Sequence, residues 1–322
     1  MESTLLEGWV PIRVYWNRSH PFVDWCYLGS KRFTEPFFEQ TIGKALHHPA
    51  NALFRHQTPI ERLEQLKPGI SPTGFIFHMS RCGSTLIAQM LAALEKNIVI
   101  SEAVPMDAAM RMQFGNPAIT DSQRIDWLRG IVNALGQRRT GNEQYHFIKF
   151  DSWHTLFLPL IRKAFPDVPW IFLYRDPVEV MVSHHNQTGT QMIPGVLQPE
   201  IFGLTRGEPT MSLEEYCACV LQKICEAALV AQSGGGGMLV NYLQLPHAVW
   251  PALTKFWRAD FSGSEMETML MASRFSAKNP SFSFESDTER KRREATEVIR
   301  HLSEQKLGGL FQKLENERLR SE

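Results

Sequence analysis

The sequence predicts an α/β fold with a doubly wound, mainly parallel sheet in a three-layer α/β/α arrangement, and three observations support this prediction. Five short apolar runs alternate along the chain with longer segments of helical periodicity. The runs are apolar on both faces, as strands buried within a parallel sheet are. The first run leads into a turn of small residues that opens a helix, which is the architecture of a phosphate-binding loop (P-loop).

The predicted strands and helices follow one another from residue 75 onward. Apolar runs rich in aromatic and β-branched residues predict strands at 75–77, 98–100, 145–150, 170–174 and 238–242. Helical periodicity predicts helices at 84–94, 122–135, 154–165, 177–187 and 212–232. Ser212 and Glu215 form a capping-box pattern at the start of the last helix. The glycine run 234–237 precedes a strand, so we interpret it as a plain helix-to-strand connection.

Three segments describe the organisation of the chain. Residues 71–322 contain the α/β pattern and are predicted to form one domain. Residues 1–70 are rich in aromatic side chains and are interpreted as an extension that packs on the core, with a share in a binding pocket as the alternative. Residues 188–211 form a long connection between two helices, either a loop that covers a substrate or a structural excursion.

The composition argues against several classes of protein. The 34 basic residues balance the 34 acidic ones, so the chain lacks the net charge of a general nucleic-acid binder. The basic cluster 290–293 is surrounded by acidic residues and is interpreted as a solvated helix face. Five cysteines without a secretory signal indicate a reducing, cytoplasmic location, and no apolar stretch reaches the roughly 18 residues of a membrane span. Histidines occur in adjacent pairs whose side chains diverge on a helix, so no metal site is expected.

The turn after the first predicted strand carries the first functional motif. Such a turn directs backbone N–H groups and a helix N-terminus at an anion, and Ser84 and Thr85 add hydroxyl groups there. The nucleoside-triphosphatase loop needs a glycine where this chain has His78 and a lysine where it has Ser84. An ATPase or GTPase is therefore not expected. The cation is instead Arg81, two residues before Gly83.

Residues 79–87, Met-Ser-Arg-Cys-Gly-Ser-Thr-Leu-Ile, resemble the 5′-phosphosulfate loop of sulfotransferases that use 3′-phosphoadenosine-5′-phosphosulfate (PAPS). The family's usual form is Pro-(Arg/Lys)-Ser-Gly-Thr-Thr, and this chain has Ser80, Cys82 and Ser84 in place of the proline, the first serine and the first threonine. The cation and the glycine are kept. The resemblance implies a set of donor-binding residues: Arg81, Cys82, Gly83, Ser84 and Thr85.

A second run, 165–183, resembles the 3′-phosphate site of the same family, in which a strand ends in Arg-Asp-Pro and a serine follows eight residues after the arginine. This resemblance implies that Arg175 and Ser183 bind the 3′-phosphate, as a guanidinium and a hydroxyl can. Asp176 and Pro177 are interpreted as the cap and the first residue of the following helix.

Three weaker resemblances to this family add further residues. The segment that begins at Lys149 is similar to a family segment whose lysine approaches the transferring group. The segment 241–246 is similar to a Tyr-Glu-Asp-Leu segment, which implies a nucleotide contact for Tyr242. The segment 276–280 is similar to a late segment that closes over the nucleotide, which implies a role for Lys278.

The acceptor must lose a proton, and Glu102 is the leading candidate for the base, with Asp151 as its rival. Glu102 follows a predicted strand at the carboxyl edge of the sheet, where ligands collect, and its placement resembles the catalytic glutamate of the protein-tyrosine branch. Asp151 stands two residues after Lys149, where the small-molecule branch has a histidine base. Either carboxylate has a helix cap or a loop-ordering group as its alternative role. His154, His184 and His185 rank third.

The resemblance implies a sulfotransferase that moves a sulfuryl group from PAPS to a hydroxyl or amine by in-line displacement, with 3′-phosphoadenosine-5′-phosphate (PAP) as product. Arg81 and Lys149 would supply positive charge at the leaving side without a metal. The acceptor is expected to be a small molecule, a saccharide or a lipid. The alternatives are a P-loop kinase of a small molecule and a non-catalytic module that binds PAP or PAPS.

Overall fold

The computed structural model describes residues 6–17, 20–205, 211–246, 250–276, 279–283 and 287–321. Its strands are β1 (Trp9–Asn17), β2 (His20–Tyr27), β3 (His56–Pro59), β4 (Gly74–His78), β5 (Asn97–Ser101), β6 (Tyr145–Lys149), β7 (Trp170–Tyr174), β8 (Gly237–Asn241), β9 (Phe275–Ser276) and β10 (Asn279–Ser283). Its helices are α1 (Phe38–Leu46), α2 (Pro49–Leu53), α3 (Ser84–Ala92), α4 (Val104–Arg111), α5 (Asp121–Leu135), α6 (Leu158–Ala164), α7 (Pro177–Asn186), α8 (Leu213–Ser233), α9 (Trp250–Phe256), α10 (Gly263–Ala272), α11 (Thr288–Glu294), α12 (Glu297–Ser303) and α13 (Gly309–Ser321).

A five-stranded sheet forms the centre of the molecule. Its strand order is β5-β6-β4-β7-β8, and every neighbouring pair is parallel. Within this sheet the chain passes from β4 in the middle to β5 at one edge, returns to β6 between them, and then crosses to β7 and β8 on the other side of β4. The winding therefore reverses at β4, and ligands of such sheets bind beside the carboxyl end of the strand where this happens. The prediction of a doubly wound, parallel α/β sheet is confirmed.

The predicted strands and helices agree with the structure to within a few residues at most ends. All residues of β4, β5 and β7 are buried, as their unbroken apolar sequences predict. The predicted capping box is present, because the Ser212 hydroxyl accepts from the Glu215 N–H at 3.2 Å and the Glu215 carboxylate accepts from the Ser212 N–H at 2.8 Å. The predicted helix 154–165 instead begins as a 3₁₀ turn, Ser152–Phe157, and continues as α6.

The N-terminal segment contains a second sheet that the sequence analysis did not predict. Strands β1, β2 and β3 pair antiparallel in that order, and β1 contacts helices α4 and α5 beside the central sheet. The two long strands carry the signal that could have shown them, because both contain Val, Trp and Tyr, and β2 also contains Phe. Part of the aromatic content of residues 1–70 therefore belongs to a β-sheet.

Candidate active site

A cavity of ≈ 610 Å³ opens at the carboxyl edge of the central sheet. The residues that follow each of the five strands contribute to its wall, and they include Arg81, Glu102, Asp151, Arg175 and Tyr242. The structure therefore brings together side chains from both predicted phosphate sites and both candidate bases. This is the position at which the reversal of winding predicts a ligand.

The turn between β4 and α3 lines one side of the cavity. Ser80, Arg81 and Gly83 have φ angles of 89°, 52° and 89°, all in the left-handed region. Ser84 and Thr85 start α3 and are buried against the cavity. This sequence of left-handed residues before a helix start is the kind of turn that gathers backbone N–H groups around an anion. The predicted loop is present.

This position requires a glycine for two reasons: its backbone is left-handed, and neighbouring side chains leave no room for a Cβ atom. A Cβ atom at this position would lie 2.7 Å from Cδ1 of Leu245 and 3.1 Å from Cδ2 of Tyr242. Both neighbours belong to the segment that follows β8. The missing side chain thus lets this segment approach the anion loop.

Arg81 and Cys82 have different roles in the loop. The Arg81 guanidinium lines the cavity and donates to the backbone oxygen of Gln187 at 2.8 Å. The Cys82 thiol is buried and donates to the carbonyl oxygen of Leu173 at 3.2 Å. Burial raises the pKa of Cys82 to about 12, so it remains a thiol at neutral pH. Cys82 therefore serves as a small packing residue, whereas Arg81 supplies charge.

Arg175 lies at the end of β7 and is held firmly. Its Nε and Nη2 atoms donate to Glu179 and Asp287, each at 2.6 Å, and its guanidinium lies 4.0 Å from the ring centroid of Tyr242. Ser183, two turns along α7, lines the same cavity. The two residues predicted to bind a 3′-phosphate therefore reach one cavity together with Tyr242. The predicted cap is also present, since the side chain of Asp176 accepts from two N–H groups at the start of α7.

The basic cluster 290–293 differs from its interpretation at one position. Arg290 and Arg292 have side chains that are 58% and 55% exposed, as a solvated helix face requires. Lys291 is instead buried, lines the cavity and forms an ion pair with Asp287 at 2.7 Å. The interpretation was wrong for Lys291 because a helix has two faces, and α11 turns this residue toward the cavity.

Glu102 and Lys149 form an ion pair beneath the cavity. Lys149 is fully buried and donates to the Glu102 carboxylate, which is 22% exposed and lines the cavity. Burial raises the pKa of Glu102, but the attraction of the Lys149 ammonium and the neighbouring His78 imidazole together lower it by more than burial raises it. The pKa therefore lies well below its usual range, at about 2. Glu102 thus stands between the lysine and the cavity. A carboxylate held ionised by a buried cation is a weak proton acceptor at neutral pH.

Asp151 has the opposite environment. It is buried and lines the cavity, and among the described residues no cation lies as close to it as Lys149 lies to Glu102. Burial raises its pKa well above the usual range, and the negative charges of Glu102 and Asp107 raise it further. A carboxylate with a raised pKa is the stronger proton acceptor once it is ionised. Of the two candidates, Asp151 therefore has the environment of a base.

The three candidate histidines each have hydrogen-bond or ion-pair partners in the structure. Nδ1 of His154 accepts from the Asp151 N–H at 3.2 Å, and its Nε2 lies 2.9 Å from Asp107. Nδ1 of His184 accepts from the Gly189 N–H at 3.2 Å. His185 is exposed and pairs with Glu214. His154 instead helps to hold the backbone of Asp151.

No individual role was predicted for several cavity residues, although the sequence analysis gave residues 1–70 a share in a binding pocket and residues 188–211 a substrate-covering loop as alternatives. Phe37, from the N-terminal segment, lines the cavity, and its ring centroid lies 4.9 Å from Nζ of Lys149. Trp153 and residues 187–191 line it as well, the latter at the start of the long connection 188–211. No motif marks these positions, and only the fold brings them to the site. Lys278 lies outside the described residues.

No protein-family model matches the chain, and no curated protein matches its sequence. Solved structures similar to it are sulfotransferases, the family that its motifs resemble. Sulfotransferase STF1 of Mycobacterium tuberculosis H37Rv is 11% identical with a TM-score of 0.46, and the match covers 83% of each chain. The sulfotransferase domain from the curacin biosynthetic pathway is 15% identical with a TM-score of 0.42, covering 74% of this chain and 97% of that one.

Sulfotransferase STF9 of Mycobacterium avium is 11% identical with a TM-score of 0.43, and the match covers 87% of this chain and 81% of that one. These modest values leave the function to be argued from the site itself. Within the part of the chain that the structure describes, no helix has the length and apolar character of a membrane span.

Proposed function

We propose that the protein is a sulfotransferase that transfers a sulfuryl group from PAPS to a hydroxyl or amine. The observation that carries the proposal is the meeting of two separate anion-binding groups in one cavity. The turn after β4 supplies the first group, and Arg175 with Ser183 supplies the second. A nucleotide with phosphates at both its 5′ and 3′ positions requires two such groups at once.

The residues of the cavity fit this donor. Gly83 lets the segment after β8 pack against the anion loop, and nine-residue α3 begins directly after Gly83, so the positive end of α3 faces a 5′-phosphosulfate. Tyr242 offers a ring beside Arg175, where a nucleotide can pack. The loop has serine where a nucleoside-triphosphatase has its lysine, and its cation is instead Arg81, two residues before Gly83, which favours PAPS over ATP.

Sulfuryl transfer needs positive charge where the leaving oxygen becomes negative and a base where the acceptor loses its proton. Arg81 lies on the loop and supplies the first. We assign the base to Asp151, because its carboxylate lines the cavity and its pKa is raised. Glu102 then serves as the counter-ion of Lys149 and holds that buried cation behind the cavity wall.

Ligand-induced thermal stabilisation tests the donor assignment. Adenosine 3′,5′-bisphosphate should raise the melting temperature in a concentration-dependent way, whereas MgATP should have little effect. The reverse pattern would favour a small-molecule kinase and refute the proposal.

An activity test then separates an enzyme from a module that only binds the nucleotide. Labelled PAPS is incubated with panels of phenols, sugars, lipids and amines, and transfer of label is measured. Transfer to one class is expected, and Asp151→Asn serves as the control with intact binding. Binding of the bisphosphate without transfer to any class would indicate the non-catalytic module.

A further inference from the structure

Ser80 is an unusual residue within the anion loop. It forms part of the cavity wall, is 6% exposed, and has a φ of 89°. Residues other than glycine seldom adopt this conformation, and those that do so cluster at ligand sites. The family loop that this segment resembles has proline here, so the resemblance assigns no role to a hydroxyl at this position.

Two buried side chains approach the Ser80 hydroxyl oxygen. Nε2 of His184 lies 3.1 Å from it, and Nε2 of Gln191 donates to it at 3.2 Å. The His184 imidazole must also donate its hydrogen bond to this oxygen. Its Nδ1 accepts from the Gly189 N–H, so that nitrogen carries no proton and the neutral ring has its hydrogen on Nε2.

The hydroxyl of Ser80 therefore accepts two hydrogen bonds, which use both of its lone pairs. Its own hydrogen remains as the only group that it can offer to a third partner. Because Ser80 lines the cavity together with His78 and Arg81, an anion bound in the loop would lie near the Ser80 side chain. A hydroxyl that already accepts two bonds is also a stronger donor, since chains of hydrogen bonds polarise one another.

We infer that Ser80 is a further anion-binding residue of the loop, whose hydroxyl is aimed at the 5′-phosphosulfate by His184 and Gln191. The inference rests on the proposed function for the identity of the anion. His184 and Gln191 act as positioning residues, and they come from the end of α7 and the connection after it. The same connection holds Arg81 through the backbone oxygen of Gln187.

Isothermal titration with adenosine 3′,5′-bisphosphate tests the inference. Ser80→Ala should weaken binding about tenfold or more, because a hydrogen bond to a charged group is lost. Ser80→Gly, which also relaxes the backbone, should lose as much without losing stability. Ser273→Ala is the matched control: Ser273 is equally buried, but its hydroxyl bonds the Leu270 carbonyl of its own helix, so binding should stay unchanged.

A double-mutant cycle tests the positioning role. Gln191→Leu should weaken binding several-fold, and the double variant Ser80→Ala/Gln191→Leu should bind no more weakly than Ser80→Ala. Additive losses would show that Gln191 does not act through the hydroxyl. A purely structural role for Gln191 would lower stability without this dependence on Ser80.

Inorganic pyrophosphate separates failure of this inference from failure of the proposed function. If the wild-type protein does not bind the bisphosphate, the proposed donor is wrong, and the same variants are compared with pyrophosphate, which needs only the loop. A loss on Ser80→Ala then still supports the inference. Equal affinity of wild type and Ser80→Ala for the anion that binds, or no binding of either anion to the wild type, overturns it.

Discussion

Replacing Gly83 with alanine should damage both the fold and the donor site, for two separable reasons. Gly83 has a φ of 89°, and placing an alanine in the left-handed region costs about 1–2 kcal/mol. The added Cβ would also lie 2.7 Å from Cδ1 of Leu245 and 3.1 Å from Cδ2 of Tyr242. Crowding of this kind costs roughly 1–3 kcal/mol, because the neighbours must shift. The free energy of unfolding should therefore fall by about 2–5 kcal/mol in total.

Gly141→Ala is the matched control, because Gly141 has a φ of 87° and a Cβ there would have nothing within 4 Å. It should lose only the backbone part, about 1–2 kcal/mol. Urea denaturation with linear extrapolation measures both variants. Because Tyr242 lies against Arg175, Gly83→Ala should in addition weaken binding of adenosine 3′,5′-bisphosphate more than tenfold, as measured by titration calorimetry, while Gly141→Ala should not. Equal stability losses for the two variants, together with wild-type binding by Gly83→Ala, would refute the steric argument.

Three further predictions concern the charged residues of the site. Asp151→Asn should lower turnover about 100-fold or more and abolish the acidic limb of the pH–rate profile. Because folding raises the pKa of Asp151, the wild type loses stability as pH rises through that pKa. The variant should therefore have the higher free energy of unfolding at neutral pH, and a lower one would contradict the assignment. Glu102→Gln should leave Lys149 buried without its counter-ion and lower the free energy of unfolding by about 3–5 kcal/mol. The double variant Glu102→Gln/Lys149→Met should largely restore this stability. An unchanged melting temperature of the single variant would show that the ion pair is unimportant for stability. Arg175→Ala should weaken binding of the bisphosphate about 10- to 100-fold but leave adenosine-5′-phosphosulfate binding unchanged in direct titrations, and an equal loss for both ligands would remove this residue from the 3′-phosphate site.

The central sheet and the positions of the main motifs along the chain follow from the amino-acid sequence alone. Strand β7 was predicted with its observed ends, and the other central strands to within a residue, because buried parallel strands are short, continuous apolar runs. The turn after β4 and the arginine after β7 were recognisable from residues that are neighbours in the chain. Because both motifs resemble parts of one donor site, the resemblance also implied that they would meet.

The distribution of charges and hydrogen bonds in the site depends instead on how distant parts of the chain pack together. The contact that holds Glu102 ionised joins residues 47 positions apart, and the one that orients Ser80 joins residues 104 apart. Neither can be read from local periodicity, because each depends on how separate elements pack. The same packing buries Asp151, brings Phe37 from the N-terminal segment to the cavity, and turns one lysine of α11 inward. Motifs mark where chemistry can occur, whereas burial and long-range partners set the protonation and orientation of the groups that carry it out.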